Sequence, residues 1–310
     1  MAIKPRGLRP GDLVGVCAPA GPVDEQRLGR GVAELESLGF GVRVGEGVLD
    51  RRWFTAGPVE ARLRQLRGLL DDPDVAAVFC ARGGAGAGRL LPGVDAERLR
   101  ARPKVLVGYS DVTWLHLALG QAGVTGLHGP MVAHELARGA AAYDRASLWH
   151  GLTGEGEPYR SEPDEVLPLR AGEGEGVLRG GCLSILAAAA GTPWALRPQG
   201  EPTVLFLEDV DEPPYRIDRM LLQLRASGAL DGVRGVVFGD MKGCAPGLDA
   251  DYTLEDVLLE ALEGLEVPIA LGLSSGHASS PSVTLPLGVP ARLSCRGDEA
   301  RFEVLEAAVE

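Results

Sequence analysis

Short apolar segments alternate with amphipathic helical patterns along the first half of the chain. The apolar segments predict β-strands at 12–19, 40–44, 75–81, 104–108 and 125–130. The segments at 23–38, 58–70 and 110–122 place apolar side chains on one face, which predicts helices. This alternation is typical of a parallel sheet covered by helices. Such sheets bind ligands beyond the C-terminal ends of their strands.

The second half of the chain has a more mixed pattern. Residues 151–176 are rich in Gly, Pro and Glu without helical periodicity, which indicates a connector with room for one short strand. Beyond it we predict strands at 202–207, 233–239, 282–287, 290–295 and 300–305, and helices at 182–190, 215–227 and 253–263. We therefore expect an N-terminal α/β domain over 1–155, a linker over 156–176 and a C-terminal β/α domain over 177–310, with a cleft between the domains.

Composition excludes several classes of partner. The chain has 310 residues, of which 45% are hydrophobic, so a substantial core is expected. Its 43 acidic and 31 basic residues give a formal net charge of −12. A nucleic acid or an anionic membrane would require a basic surface, so we expect neither as a partner. The longest weakly polar run, "CLSILAAAAG", is far shorter than the roughly 20 residues that span a bilayer.

Cysteine usage and the first residues of the chain suggest a compartment. The five cysteines are scattered and show no CxxC spacing, which favours reduced thiols. The start, "MAIKPRGLRPGD", has no apolar core of a signal peptide. We therefore expect a cytoplasmic protein.

Metal and nucleotide motifs do not extend to their full patterns. His134 and Glu135 do not continue to H-E-x-x-H, and no Cys/His spacing matches a zinc site. The segment "CARGGAGAGRLLPGVD" (80–95) lacks the third glycine of the dinucleotide fingerprint, since Arg89 or Leu91 stands there. We expect neither metal nor cofactor. What remains is either a plain tight turn or a loop whose N–H groups face an anion, with Arg82 beside it as a carboxylate anchor.

Ser110 follows a predicted strand and precedes a predicted helix in "VLVGYSDVTWL". Two interpretations are open. Serine in this position is a standard helix N-cap. A nucleophile also requires strand, sharp turn and helix, so that Oγ is exposed and the next N–H faces an oxyanion. The second glycine of G-x-S-x-G is absent, because Val112 stands there, so this is not an ordinary α/β-hydrolase elbow.

An acid and a histidine in the second half are candidate partners of that serine. Glu208 ends an apolar strand in "TVLFLEDVDEPPYRIDRMLLQL", where a carboxylate can orient a catalytic histidine; the alternative is a solvated acidic loop. His277 lies among small residues in "LGLSSGHASSPSVTLPLG", which leaves room for a substrate but is also typical of a surface loop. His128, at the end of a predicted strand in "LHGPM", is interpreted as structural.

Taken together, these segments resemble the LD-carboxypeptidase family of serine peptidases, which act on murein peptides; related members hydrolyse microcin-type conjugates. The matching motifs run through nearly the whole chain in order. They are "LRPGDLVGVCAPAGPV", "CARGGAGAGRLLPGVD", "VGYSDVTWLHLAL", "LHGPM", "RGGCLSIL", "FLEDVDEPPYRIDRML", "VVFGDMKGC" and "GHASSPSVTLPLG". The resemblance implies a flavodoxin-like N-terminal domain, a C-terminal domain of mixed strands and helices, and a homodimer, since dimerisation is common in the family.

The resemblance also implies a catalytic triad. Ser110 matches the nucleophile, Glu208 the acid and His277 the base. The implied oxyanion hole uses the backbone N–H groups of Asp111 and of Gly83 or Gly84.

Specificity is less defined by the resemblance. Family members usually carry an aromatic residue where Ala85 stands, and its loss could relax substrate selection. A substrate with a free C-terminal carboxylate needs a cationic receiver, for which Arg82 and Arg216 are the candidates.

The implied activity is hydrolysis of the bond between meso-diaminopimelate and the terminal D-alanine of murein tetrapeptides during peptidoglycan recycling. One alternative keeps the triad and changes the substrate to a microcin-type peptidyl-adenylate. A second is a non-catalytic α/β protein that binds a small ligand between its domains. A generic esterase is a third, which the missing elbow glycine disfavours.

Overall fold

A computed structural model describes residues 2–198, 200–279 and 281–310. The strands are β1 (Leu13–Cys17), β2 (Gly41–Val44), β3 (Val75–Cys80), β4 (Val105–Val107), β5 (Gly126–His128), β6 (Leu167–Arg170), β7 (Gly172–Cys182), β8 (Thr203–Glu208), β9 (Val233–Gly239), β10 (Ile269–Leu273), β11 (Leu285–Leu287), β12 (Pro290–Arg296) and β13 (Glu299–Val304). The helices are α1 (Glu25–Ser37), α2 (Val59–Asp71), α3 (Ala96–Ala101), α4 (Thr113–Ala122), α5 (Arg145–Thr153), α6 (Leu183–Ala189), α7 (Pro214–Ala226) and α8 (Leu254–Ala261).

The described residues form two compact units. The first contains 2–157, 281–288 and 307–310, and the second contains Pro158–Ser279 and Val289–Glu306. The division predicted from sequence, 1–155, 156–176 and 177–310, stays a prediction. None of the helices in the described ranges has the length and apolar character that a bilayer crossing needs.

The first unit is built on a six-stranded sheet in the order β11-β5-β4-β3-β1-β2. Strands β1 to β5 are parallel to one another, and β11 pairs antiparallel with β5. The order 2-1-3-4-5 is that of flavodoxin-like sheets. Val78 and Phe79 of β3 have no solvent exposure, as expected of a strand with helices on both faces of its sheet. The predicted flavodoxin-like N-terminal fold is confirmed.

Local chemistry explains where the helices of this unit begin. Asp24 precedes α1 and accepts a hydrogen bond from the Arg27 N–H, and Asp144 caps α5 through the Ser147 N–H. Such caps satisfy backbone donors that have no partner inside the helix.

The second unit carries a seven-stranded mixed sheet in the order β13-β12-β7-β8-β9-β10-β6. Strands β7 to β10 are parallel, whereas β12, β13 and β6 pair antiparallel. Its core includes Val204 and Phe206 of β8 and Val236 and Phe238 of β9, none of which is exposed. The predicted mixed β/α fold of the C-terminal part is confirmed.

Some elements differ from the sequence-based expectation. The segment 151–176, expected to hold at most one short strand, contains β6 and the first residues of β7. The "GEGEG" of β7 lacks the apolar side chains whose alternation signals a strand. Strand β10 and helices α3 and α5 were also not predicted, because they are short and contain small or charged residues.

Candidate active site

Ser110 lies after β4, at the carboxyl edge of the first sheet. Its φ is 63°, in the left-handed region, and Ser110–Val112 form a single 3-10 turn that leads into α4. A non-glycine residue held there stores on the order of 1–3 kcal/mol of strain. The N-cap positions of the 3-10 turn and of α4 are Tyr109 and Val112, and neither caps through its side chain. Ser110 is therefore not the N-cap of α4, and the strand, turn and helix form an elbow.

Gly83 packs directly against the serine. A Cβ atom added at Gly83 would lie 2.8 Å from the Ser110 Cβ, 2.9 Å from its Oγ and 3.5 Å from the Asp111 N. The Gly83 carbonyl accepts a hydrogen bond from the Gly21 N–H at 3.0 Å. Because the peptide is trans, the Gly84 N–H points to the side opposite that carbonyl. Among the described residues, the N–H groups of Gly83 and Gly84 donate no backbone hydrogen bond.

The Asp111 carboxylate holds the glycine-rich loop after β3. Its Oδ2 accepts a hydrogen bond from the Ala87 N–H at 2.7 Å, and the side chain is buried. Burial raises the pKa of Asp111, while the Ala87 N–H and the nearby Arg62 oppose that rise. One residue therefore offers a backbone N–H beside the serine and fixes the loop that carries Gly83.

Arg62 ties the same loop to two others. Its guanidinium donates to the carbonyls of Pro19, Gly57 and Gly86, the last at 2.9 Å, and the side chain is buried. Burial lowers the pKa of Arg62, which nevertheless stays protonated. Arg62 was not predicted from the sequence, since an arginine on an amphipathic helix has no motif that signals burial.

Two buried histidines flank the elbow as structural groups. His116 Nε2 lies 2.7 Å from the Gly108 carbonyl, and burial lowers the pKa of His116 to about 4. The ring is therefore neutral at pH 7 and donates its Nε2–H to that carbonyl. His128 is buried on β5, with its ring 5.6 Å from the Tyr109 ring.

Glu208 and His277 form a pair in the second unit. Glu208 is the last residue of β8, only 1% exposed, and its Oε2 lies 2.7 Å from His277 Nδ1. The same oxygen accepts the His277 backbone N–H at 3.1 Å. A carboxylate only accepts, so Nδ1 carries the proton and Nε2 is the nitrogen available as a base. The imidazole is oriented by an acid, as in a catalytic triad.

The backbone before His277 packs closely against this carboxylate. Gly276 has a φ of 81°, and a Cβ there would lie 2.6 Å from Glu208 Oε2. The segment is fixed further by the Ser279 N–H, which donates to Asp240 Oδ2 at 2.6 Å. Beside Glu208, Asp209 accepts the Ser184 N–H at 2.7 Å, and burial raises its pKa. Asp209 is therefore a structural acid that anchors the start of α6.

The two arginines proposed as carboxylate receivers differ in their surroundings. Arg216 is exposed and pairs with Glu212 at 3.4 Å, and this hydrogen bond raises the pKa of Arg216. Arg82 is also exposed, and its Nη1 donates to the Pro22 carbonyl at 3.2 Å. In the described part of the chain Arg82 forms no ion pair, so no carboxylate neutralises its charge as Glu212 does that of Arg216.

The site residues predicted from sequence thus fall into two groups. Ser110, Asp111 and Gly83 lie together in the first unit, and Glu208 and His277 lie together in the second. Throughout residues 2–198, 200–279 and 281–310, no group of three or more His, Cys, Asp or Glu side chains is arranged to hold a metal ion.

Comparisons with known proteins define the class of protein. Residues 14–129 match the family model of the LD-carboxypeptidase N-terminal domain, and residues 175–293 match that of the LD-carboxypeptidase C-terminal domain. These matches, and the relatives below, make the chain a peptide hydrolase of the serine type. It belongs to the LD-carboxypeptidase family.

Two relatives illustrate this membership, and one solved structure shows the same fold. The chain is 37% identical over 309 residues to the "Probable murein peptide carboxypeptidase" of Bacillus subtilis, covering 99% of this chain and 95% of the relative. It is 36% identical over 284 residues to the murein tetrapeptide carboxypeptidase of Pseudomonas aeruginosa, covering 86% and 88%. The structure of MccF in complex with glutamyl sulfamoyl guanosine has a similar fold, with a TM-score of 0.87, 22% identity and 99% of each chain covered.

We predict that Gly83→Ala lowers turnover on the order of 100-fold, because the added methyl displaces Ser110 Oγ and the adjacent N–H groups. Steady-state kinetics on a murein tetrapeptide measures the effect. The control is Gly29→Ala, on an exposed part of α1 where a Cβ meets nothing within 4 Å. Equal turnover for the two variants would contradict the close approach.

Gly276→Ala should lower turnover by displacing the Glu208 carboxylate that orients His277. Gly264→Ala is a matched control, since its φ of 78° is also left-handed but a Cβ there contacts nothing within 4 Å. Gly264→Ala should lose about 1 kcal/mol of unfolding free energy from backbone strain, and Gly276→Ala should lose more, because its methyl also meets the Glu208 carboxylate; urea denaturation measures both. Only Gly276→Ala should lose activity; loss in both would point to strain alone.

Proposed function

We propose that this chain is a serine LD-carboxypeptidase that removes the terminal D-alanine from murein tetrapeptides. Ser110 is the nucleophile, His277 the general base and Glu208 the acid that orients it. The observation that carries the proposal is the 2.7 Å contact between His277 Nδ1 and the buried Glu208. This contact leaves His277 Nε2 in the form that accepts a proton.

Acylation starts at the carbonyl of the L-centre of meso-diaminopimelate. His277 takes the proton from Ser110 Oγ as that oxygen attacks, which requires Nε2 and Oγ to come within about 2.6–3.2 Å in the reactive complex. The negative charge on the carbonyl oxygen is stabilised by the backbone N–H groups of Asp111 and of Gly83 or Gly84. His277 then gives its proton to the amine of D-alanine, which leaves.

Deacylation repeats these steps with water in place of Ser110 as the nucleophile. A water molecule enters, His277 removes a proton from it, and the resulting hydroxide attacks the acyl-serine. The imidazolium that forms is stabilised by Glu208, and it returns the proton to Ser110 Oγ. The products are the tripeptide and D-alanine, and the enzyme needs no cofactor for either step.

The substrate and its compartment are inferred from two observations. The relatives at 37% and 36% identity are named for murein peptides. The five cysteines are buried thiols, which supports a reducing compartment, so we place the reaction in the cytoplasm during peptidoglycan recycling. The homodimer implied by the family resemblance stays a prediction.

The alternative substrate is a microcin-type peptidyl-adenylate. Its hydrolysis would use the same three side chains, and the similar fold of MccF makes it the alternative to test. We favour the murein peptide, because the chain is 37% identical in sequence to the murein-peptide relative and 25% identical to MccF of Escherichia coli. A glutamyl sulfamoyl nucleoside offered in competition with the tetrapeptide separates the two by the ratio of their kcat/KM values.

Mass spectrometry of the products tests the reaction class. Incubation with L-Ala-D-Glu-meso-diaminopimelate-D-Ala should release one alanine and leave the tripeptide. Ser110→Ala should fold normally and lose turnover by several orders of magnitude, since triad members act as a unit. Thr113→Ser, a conservative change three residues along the chain, serves as a control. Retained turnover in Ser110→Ala would refute the nucleophile, and release of a dipeptide would refute the specificity.

An amidated tetrapeptide tests the carboxylate receiver, which we assign to Arg82 rather than to Arg216. Loss of a charge-assisted, bidentate contact should lower kcat/KM on the order of 10- to 100-fold in the wild type. Arg82→Met should show the same low kcat/KM on both substrates, whereas Arg216→Met should retain the wild-type difference. A wild-type enzyme that does not distinguish the two substrates would contradict the anchor.

A further inference from the structure

Glu135 is a buried carboxylate that the proposed reaction does not use. It is 3% exposed, and its Oε1 accepts a hydrogen bond from the Tyr109 hydroxyl at 2.7 Å. Its Oε2 accepts the Met131 N–H at 3.1 Å, and the half-exposed His134 contacts Oε1 through Nδ1. Burial alone would raise the pKa of Glu135, but the bonds from His134 and Tyr109 outweigh it and hold that pKa below its usual value.

Tyr109 connects this carboxylate to the elbow. It is the residue before Ser110, it is 1% exposed, and its ring packs 5.6 Å from that of His128. The residue before it is also anchored, because the Gly108 N–H donates to the Leu127 carbonyl at 3.1 Å. A strained backbone persists only where its surroundings over-determine it. The anchored Tyr109 side chain constrains the residue before the left-handed Ser110, as the bonded Asp111 carboxylate constrains the residue after it.

We propose that Glu135, acting through the Tyr109 hydroxyl, is a positioning residue that holds Ser110 in its left-handed conformation. The inference rests on the proposed role of Ser110 as nucleophile. Glu135 touches neither substrate nor reacting atoms in this role. It lowers the freedom of the peptide that presents Oγ, and misplacement of a nucleophile by about 1 Å can cost on the order of 100-fold in rate.

The chain offers a matched control for this hydrogen bond. Tyr143 is also 1% exposed, and its hydroxyl donates to Glu34 Oε1 at 2.7 Å. It belongs to the same compact unit, but it precedes Asp144, the N-cap of α5, rather than Ser110. Tyr143→Phe therefore removes a tyrosine–carboxylate bond of the same length, to the half-buried Glu34, without touching the elbow.

The test compares Tyr109→Phe with Tyr143→Phe. Both variants should lower Tm by a few degrees, and Tyr109→Phe by more, because its bond to Glu135 is buried and its hydroxyl also lies 3.2 Å from His134 Nδ1. Only Tyr109→Phe should lower kcat, by about tenfold or more, with KM unchanged because ground-state binding does not use Oγ. A Tyr109→Phe enzyme with wild-type kcat and lowered Tm would overturn the proposal and leave the bond a purely structural one.

Variants of the carboxylate provide a second arm. Glu135→Gln keeps one oxygen that can accept from Tyr109 but turns its NH2 group toward the Met131 N–H, so it should retain more of kcat than Glu135→Leu does. Glu135→Leu removes the acceptor of Tyr109 and also those of the Met131 N–H and His134, so its kcat should be no higher than that of Tyr109→Phe. The double variant Tyr109→Phe/Glu135→Leu should be no worse than Glu135→Leu, since the Tyr109–Glu135 bond is already lost in each single variant. Additive losses in the double variant would contradict action through the hydroxyl.

Hydrogen exchange keeps this proposal separable from the proposed function. Amides of residues 108–113 should exchange faster in Tyr109→Phe than in the wild type or in Tyr143→Phe. Unchanged exchange would refute the positioning role whatever the activity. If exchange is faster in Tyr109→Phe but Ser110→Ala retains turnover, the constraint on the elbow is upheld. The role of Ser110 as nucleophile is then refuted.

Discussion

The left-handed backbone at Ser110 is the constraint on which the proposed chemistry depends. A φ of 63° is unfavourable for serine, so neighbouring contacts must compensate for it. Those contacts come from separate loops at the carboxyl edge of the first sheet. Gly83 packs against the serine, the Asp111 carboxylate binds the Ala87 N–H, and Arg62 joins the glycine-rich loop to two further loops. The same contacts that stabilise the turn also surround Ser110 with backbone N–H groups, so the strain and the proposed oxyanion hole would have one structural origin.

The Glu208–His277 pair follows a second constraint, which is the cost of burying a carboxylate. A buried charge without partners costs several kcal/mol, and Glu208 meets that cost with two donors from one residue, the His277 N–H and Nδ1. The bond from Nδ1–H to Glu208 therefore stabilises the carboxylate and also holds the His277 ring in one tautomer. Ser110 and this pair belong to different compact units, so the proposed triad depends on residues far apart in the chain.

Periodicity predicted most of the architecture because both sheets consist largely of buried apolar strands. The predicted strand at 75–81 and helix at 23–38 differ from β3 and α1 by at most two residues at either end. The triad was suggested by a resemblance to a family, since no local pattern links residues so distant in the chain. Arg62 and Glu135 were missed for the opposite reason. Their importance arises from tertiary burial, and an exposed arginine or glutamate on a helix or loop has the same sequence signature.

Reaction with a fluorophosphonate, mapped by peptide mass spectrometry, is the most direct test of whether Ser110 is a nucleophile activated by His277. The probe modifies a serine only where a base activates its hydroxyl and N–H groups stabilise the adduct. We expect a single adduct on Ser110 in the wild type and its loss in a folded His277→Ala variant. Labelling of Ser110 that is unchanged in His277→Ala, or an adduct on a different residue, would contradict it.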